Sequence, residues 1–267
     1  MANILLGDVE FQVFQRIIYN EIGIDLTRDK KELVQSRLLK KILQYELNSY
    51  SEYLRLIQID NREKVEMLNL ITTNETFFFR EESHFEYCKK NIFPKSKPNE
   101  KFRVWSAASS VGAEAYSMAM FLDSYFNRNS WEVIGTDINT DVVTKARQAL
   151  YPEAWLSKIP LHFRKLYCLR GKGKFEGQFM IERSLLENVS FEVRNLLNPL
   201  RDIGSFNIIF LRNILIYFDD KTRQVVLDNV VDNLKPQGYL IISYTENLNN
   251  LNTDKLIQVN GSIYYKR

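Results

Sequence analysis

Apolar positions change their spacing near residue 100, and with it the kind of element the chain can form. Between residues 9 and about 70, Phe11, Phe14, Ile17 and Ile18, then Leu33, Leu38, Leu39, Ile42 and Leu43, recur at helical spacing with no proline among them. This predicts an all-helical N-terminal segment. Beyond residue 100, short β-rich runs alternate with amphipathic stretches, the pattern of a parallel sheet with crossover helices. Strands are predicted at 102–105, 131–135, 189–193, 206–211, 239–244 and 262–265. Helices are predicted from Glu114 to about Phe126, from an Asn139 or Thr140 cap through Leu150, and from about Lys221 to Leu234. The last closes on a Lys235-Pro236-Gln237-Gly238 turn.

One segment breaks the alternation. Leu169-Arg170-Gly171-Lys172-Gly173-Lys174-Phe175-Glu176-Gly177 has turn chemistry, and Gln178-Phe179-Met180-Ile181-Glu182 after it resembles a strand. An inserted hairpin or small antiparallel sheet is expected there, over about 155–188. The fold class is α/β: a helical domain at 1–70, then a Rossmann-like domain at 71–267 that carries the insert.

Composition narrows the function. The 267 residues suffice for one large or two small domains with real cores. With 45% hydrophobic and 26% charged residues, long disorder is excluded. A net charge of only +3 argues against a dedicated nucleic-acid binder. Cys88 and Cys168 lack metal-ligand spacing and only two histidines are present, so neither a zinc site nor a disulfide framework is expected. Sparse cysteines and the lack of a secretory leader fit a reducing cytoplasm. The apolar runs at 206–211 and 239–242 are too short to span a membrane.

The candidate chemistry begins where the first strand enters Ser106-Ala107-Ala108-Ser109-Ser110-Val111-Gly112. Small side chains let backbone approach a ligand, and the following helix start offers free amides. Asp137, about 25 residues beyond Gly112 at the tip of the second strand, suits a ribose diol; helix capping is its other use. The turn lacks the G-x-G-x-x-G pattern that admits a pyrophosphate. Glu114, in the first helical turn, would repel a phosphate and attract an ammonium, or simply complement the helix dipole. A phosphate-free nucleoside cofactor such as S-adenosylmethionine fits best. The helix, proline-glycine turn and apolar strand at 221–240 are common in Rossmann-like methyltransferases.

Four stretches resemble the CheR-type chemotaxis receptor methyltransferases, enzymes that esterify glutamates on the cytoplasmic helices of membrane chemoreceptors. Thr72-Thr73-Asn74-Glu75-Thr76-Phe77-Phe78-Phe79-Arg80-Glu81 is similar to the family's T-N-x-T-x-F-F-R-E. Val104-Trp105-Ser106-Ala107 resembles its first sheet motif. Phe210-Leu211-Arg212-Asn213-Ile214-Leu215-Ile216-Tyr217-Phe218 is similar to F-C-R-N-V-x-I-Y-F, and Thr245-Glu246-Asn247 stands at its S-E-N. The resemblance implies S-adenosylmethionine contacts at Asn74, Thr76, Arg80, Glu114, Asp137, Asn195, Leu196, Leu211 and Arg212, with S-adenosylhomocysteine as product. It implies active-site roles for Arg80 and Tyr217. Read as residues alone, Phe77, Phe78 and Phe79 belong to a core, Arg80 to a buried fork or a surface pair, and Tyr217 to a core position with a satisfied hydroxyl. The family's S-T-G-E-E-P-Y-S reads Ser110-Val111-Gly112-Ala113-Glu114-Ala115-Tyr116-Ser117 here, so its Thr, first Glu and Pro are replaced.

Such an enzyme would need partner surfaces. Arg28, Lys30, Lys31, Arg37, Lys40 and Lys41 at helical spacing make either a solvated face or a basic face for an acidic receptor helix. The glycine-rich insert resembles the β-subdomain of family members that tether to a receptor C-terminal peptide, which would add a strand to its edge. Two rivals stay open. A methyltransferase with another acceptor is disfavoured by the weak net charge and the absence of an N-P-P-Y-type motif. A non-catalytic or weakly catalytic signalling scaffold is kept open by Val111, Ala113 and Ala115, while Arg80, Glu114, Asp137 and Tyr217 weigh against it.

Overall fold

The computed structural model describes residues 4–267. Packing divides the chain into two units. One runs up to Thr73 and takes in Tyr217–Thr222; the other comprises Asn74–Ile216 and Arg223–Arg267.

The first unit holds the helices Asp8–Ile22, Lys31–Gln44, Tyr50–Ile59 and Asn61–Ile71. Each break has a local cause. Gly23 closes the first helix in the left-handed conformation, φ 74°. Ser49 accepts the Glu52 amide, and Asp60 accepts those of Arg62 and Glu63, capping the last two helices. Phe14, Ile18, Val34, Leu38, Ile42 and Tyr53 are fully buried. The sequence reading gives all of 71–267 to the second domain, yet Tyr217–Thr222 packs here. The Asp25 amide donates to the Tyr217 carbonyl at 2.9 Å, and the Tyr19 hydroxyl donates to Asp219 at 3.0 Å.

The basic stretch of this unit is not the continuous face its spacing suggests. Lys41 is buried, with its ammonium 3.2 Å from the buried Glu63 carboxylate, which also accepts the Tyr45 and Tyr53 hydroxyls. Arg37 turns to the Ile71 and Thr72 carbonyls. Lys31 and Arg28 pair with Asp8, and Lys30 with Asp29. Lys40 is exposed. Helical spacing cannot reveal a buried acid on a neighbouring helix, and that acid draws Lys41 inward.

Ten strands lie in the second unit: β1 Phe102–Ala107, β2 Trp131–Asp137, β3 Leu150–Pro152, β4 Cys168–Arg170, β5 Gln178–Ile181, β6 Val189–Val193, β7 Phe206–Leu211, β8 Leu234–Ile242, β9 Leu256–Asn260 and β10 Ile263–Lys266. The main sheet has the order β6-β2-β1-β7-β8-β10-β9. Its first five strands are parallel; β10 runs antiparallel to both β8 and β9. Residues at both pleat faces of β1 are buried, as a parallel strand covered on both sides requires. Ala107 pairs with Thr136 on one side and Leu211 on the other, so β1, β2 and β7 end at one level. Chain order reverses there, between β1 and β7, where doubly wound sheets bind ligands.

The insert is a three-stranded antiparallel sheet, β3-β5-β4. It begins earlier than expected because the helix Thr140–Gln148 ends at Ala149, φ 52°, releasing Leu150 into β3. β3 and β4 are three residues each, too short to show a period. Residues 235–238 form no closing turn but an irregularity inside β8. Phe206 pairs with Leu234 and Ile208 with Tyr239, so five steps along β8 oppose two along β7. Among the described residues, no helix is long and apolar enough to cross a membrane.

Candidate active site

The site is built at the C-terminal ends of β1, β2 and β7. After β1 the backbone turns through Ala108 (φ 63°), Ser110 (φ 50°) and Gly112 (φ 86°), and the helix Ala113–Asp123 follows. Only Gly112 adopts this conformation without a Cβ penalty. The Ser109 amide donates to the Thr136 carbonyl at 2.8 Å, joining the turn to β2. Asp137, 8% exposed, accepts the Ser110 amide on Oδ2 at 2.8 Å and the Asn139 amide on Oδ1 at 2.9 Å. Burial pushes its pKa up, and the backbone amides of Asn139, Ser110 and Ile138 act in the opposite direction. Capping of the next helix falls to Asn139, which accepts from Asp141 and Val142. Each Asp137 oxygen therefore keeps acceptor capacity. Ser109 Oγ, in a residue 2% exposed, has no protein partner. A buried, unused hydroxyl beside a partly used carboxylate fits a hydroxyl-rich ligand such as a ribose.

A strap of residues 74–81 lies against this turn, with Ser110 Oγ donating to the Asn74 carbonyl at 2.9 Å. Phe78 and Phe79 are core side chains, as expected, but Phe77 is 40% exposed. Thr76 is half-buried on the same strap. Arg80 is no buried fork. Its Nη1 donates to the Glu75 carbonyl at 3.1 Å, and its guanidinium lies 5.7 Å from the Phe77 ring centre. The departures from the family turn fall on packing: Ala113 and Ala115 are fully buried in the core and Val111 packs against it.

Glu114 offers less charge than its position suggested. Its carboxylate accepts from Ser106 Oγ at 2.7 Å and pairs with Arg212 Nη1 at 2.8 Å. Burial raises its pKa, and Arg212 and Ser106 counter that. Arg212, with a side chain 1% exposed, also pairs with Glu81 at 3.1 Å and donates to the Arg80 carbonyl at 2.6 Å. Its guanidinium therefore organises the strap from inside the protein. Leu211, fully buried, ends β7 beside it. After β6, the Arg194 amide donates to the Asp137 carbonyl at 2.9 Å; Asn195 Oδ1 then accepts the Leu197 amide, and Leu196 is buried. Tyr217 is grouped with the helical unit and not with these residues.

Sequence reasoning passed over four participants. Glu246, 8% exposed, accepts the amides of Asn213, Ile214, Leu215 and Ser243 at 2.8–3.0 Å, fixing the loop after β7. Glu81 accepts from Ser243 Oγ at 2.6 Å. His84 Nε2 lies 2.7 Å from Ser262 Oγ, and its Nδ1 lies 3.3 Å from Glu81. Glu81 and Glu246 both stand in the quoted motifs, a signal for the pair; nothing local marks His84 or Ser262.

The switch-point turn, the acidic tip of β2 and the mostly parallel sheet define an S-adenosylmethionine-dependent methyltransferase of Rossmann-like fold. Residues 74–265 match the CheR methyltransferase SAM binding domain and residues 9–72 the CheR methyltransferase all-alpha domain. The chain is 35% identical to a chemotaxis protein methyltransferase of Escherichia coli (strain K12), over 92% of this chain and 87% of that one. Identity to the protein of the same description from Vibrio anguillarum is 33%, over 100% and 99%. For the Borreliella burgdorferi protein it is 31%, over 92% and 90%. The chain belongs to the CheR methyltransferase family.

Proposed function

We propose that this protein works in the cytoplasm and transfers the methyl group of S-adenosylmethionine to glutamate carboxylates of chemotaxis receptors, forming methyl esters. The observation that carries the reading is Asp137: a buried carboxylate at the switch point, oriented by two amides and retaining acceptor capacity, in a chain of this family. Asp137 accepts the ribose hydroxyls. Asn74, Thr76 and Arg80 on the strap, Asn195 and Leu196 after β6, and Leu211 at the end of β7 complete the cofactor contacts. Glu114 and Arg212 serve as one neutralised pair that sets the strap and the helix start. Arg80 orients the reacting carboxylate. The domain division at residue 70/71 gives the N-terminal helices to substrate docking.

Bound there, S-adenosylmethionine would supply an electrophilic methyl group on its sulfonium, with the neutral thioether as leaving group. A glutamate carboxylate, with an ordinary pKa near 4.3, is already ionised at neutral pH, so no side chain must remove a proton. The protein contributes alignment, which can supply on the order of 7–11 kcal/mol. Because a cation and an anion become neutral, exclusion of water by the strap favours the transition state. Of the insert's two edges, β3 ends in Pro152, which has no amide to donate. We therefore assign the docking of a receptor C-terminal peptide to β4.

The test is transfer of labelled methyl from S-adenosylmethionine to a receptor cytoplasmic fragment, followed by alkaline release of the label. Alkali-labile label on glutamate is the expected result. Cofactor binding without any transfer would point instead to the signalling scaffold.

A further inference from the structure

Two surface residues of the second unit beside Arg80, Phe77 and Lys158, are not used by this chemistry. Phe77 occupies a position the family motif leaves open, and it is 40% exposed while the next two aromatic residues of the strap, Phe78 and Phe79, are buried. Two cations stand over that ring: the Arg80 guanidinium at 5.7 Å from its centre and the Lys158 ammonium at 5.4 Å. Lys158 ends the short helix Glu153–Lys158, which follows β3 within the insert. It is exposed and, like Arg80, makes no ion pair with a carboxylate among the described residues. Glu153, the acid on the same helix, is engaged by Arg170.

The placement is fixed from below. Phe78, next to Phe77, packs edge-on against Tyr151 (4.9 Å) and Trp155 (6.2 Å). The Tyr151 hydroxyl donates to the Val111 carbonyl of the cofactor turn at 2.7 Å. The strap, the first helix of the insert and the turn therefore form one rigid rim, and Phe77 with its two cations is the exposed crest. An exposed aromatic flanked by unpaired cations is the composition of a binding anchor, apolar at its centre and charged at its edge.

We propose that Phe77 and Lys158, together with Arg80, form the docking lip for the acidic receptor helix that carries the acceptor glutamate. The ring packs on the helix's apolar side chains, and Lys158 faces acids flanking the target. This rests on the functional reading above and names the surface by which the same site selects its substrate. The charge is complementary: an anionic acceptor approaches a rim whose two cations pair with no carboxylate among the described residues. Phe77 and Lys158 touch no reacting atom; their contribution is to capture and register the helix.

The test titrates a soluble receptor cytoplasmic fragment into full-length protein saturated with S-adenosylhomocysteine, and assays methyl transfer on the same preparations. In Phe77→Ala and in Lys158→Glu, fragment affinity falls about fivefold to tenfold each, the range of a modest interface anchor. Homocysteine-cofactor affinity stays at the wild-type value in both, which also reports that the variants are folded. Wild-type affinity weakens with added salt, and Lys158→Glu flattens that dependence. Equal fragment affinity in all three proteins, or none in the wild type, overturns the proposal whether or not methyl is transferred. Fragment binding that the variants weaken, in a wild type that transfers no methyl, upholds the lip and overturns the functional reading instead.

Discussion

Arg212 and Glu114 form a closed ion pair, Nη1 to Oε2 at 2.8 Å, that joins the end of β7 to the first turn of the helix after β1. The same guanidinium holds Glu81, so its removal would leave two inward carboxylates without their cation. Arg212→Met is expected to cost about 3–5 kcal/mol in urea unfolding. Arg212→Lys should recover little, since an ammonium cannot bridge both acids and the Arg80 carbonyl as a planar fork does. A loss in Arg212→Met below about 1 kcal/mol would show the pair to be structurally idle.

Asp137→Ala should lower S-adenosylhomocysteine affinity on the order of 100-fold in a calorimetric titration, the worth of two charge-assisted hydrogen bonds. An affinity equal to wild type would remove Asp137 from the ribose role.

Burial, with Arg212 adding to it, pulls the His84 pKa down from 6.5 to about 4. As pH falls, the unfolded chain takes up its proton near 6.5, while the folded protein resists until near 4. The stabilisation is therefore full above pH 6.5 and lost progressively between 6.5 and 4, by roughly 3 kcal/mol. Unfolding free energies measured across that window should fall in wild type and stay flatter in His84→Gln. Parallel curves would assign the acid sensitivity to other groups.

Much of this was legible in the chain. Parallel strands buried on both faces show as nearly continuous apolar runs, so β7 could be read from the sequence, while β2 and the edge strand β6 show instead as short β-rich runs with polar residues between apolar ones. Asp137 followed from the spacing of turn and strand. What escaped lies at longer range. Lys41 is drawn inward by Glu63, and Arg212 by Glu114 across 98 residues, and no local period encodes either pairing. The aromatic run points Phe77 to the core; the strap's bends at Phe79 (φ 57°) and Glu81 (φ 56°) do not follow that run's pattern. Tyr217 was read with the strands because it follows them in sequence, while its hydrogen bonding joins the helical unit.

Gly135 is needed for packing beneath the site. A Cβ there would stand 2.5 Å from the Phe191 ring and 2.9 Å from Ser109 Oγ. Gly135→Ala should cost about 1–3 kcal/mol by thermal or urea denaturation. Adding Phe191→Leu should return part of it, whereas additive losses in the double variant would mean that the ring is not the obstacle.

Glu246 binds three amides that lie 31–33 residues before it in the chain. That contact imposes an order on folding. β7 and β8 must already lie side by side before the carboxylate can reach Asn213, Ile214 and Leu215, and closure of the clasp is expected after the rate-limiting step. Glu246→Gln should then hasten unfolding while leaving the refolding rate nearly unchanged, a φ-value near zero in stopped-flow chevrons. A slowed refolding arm would place the clasp in the nucleus. On the expected outcome, the loop after β7 is set late in folding and released early in unfolding.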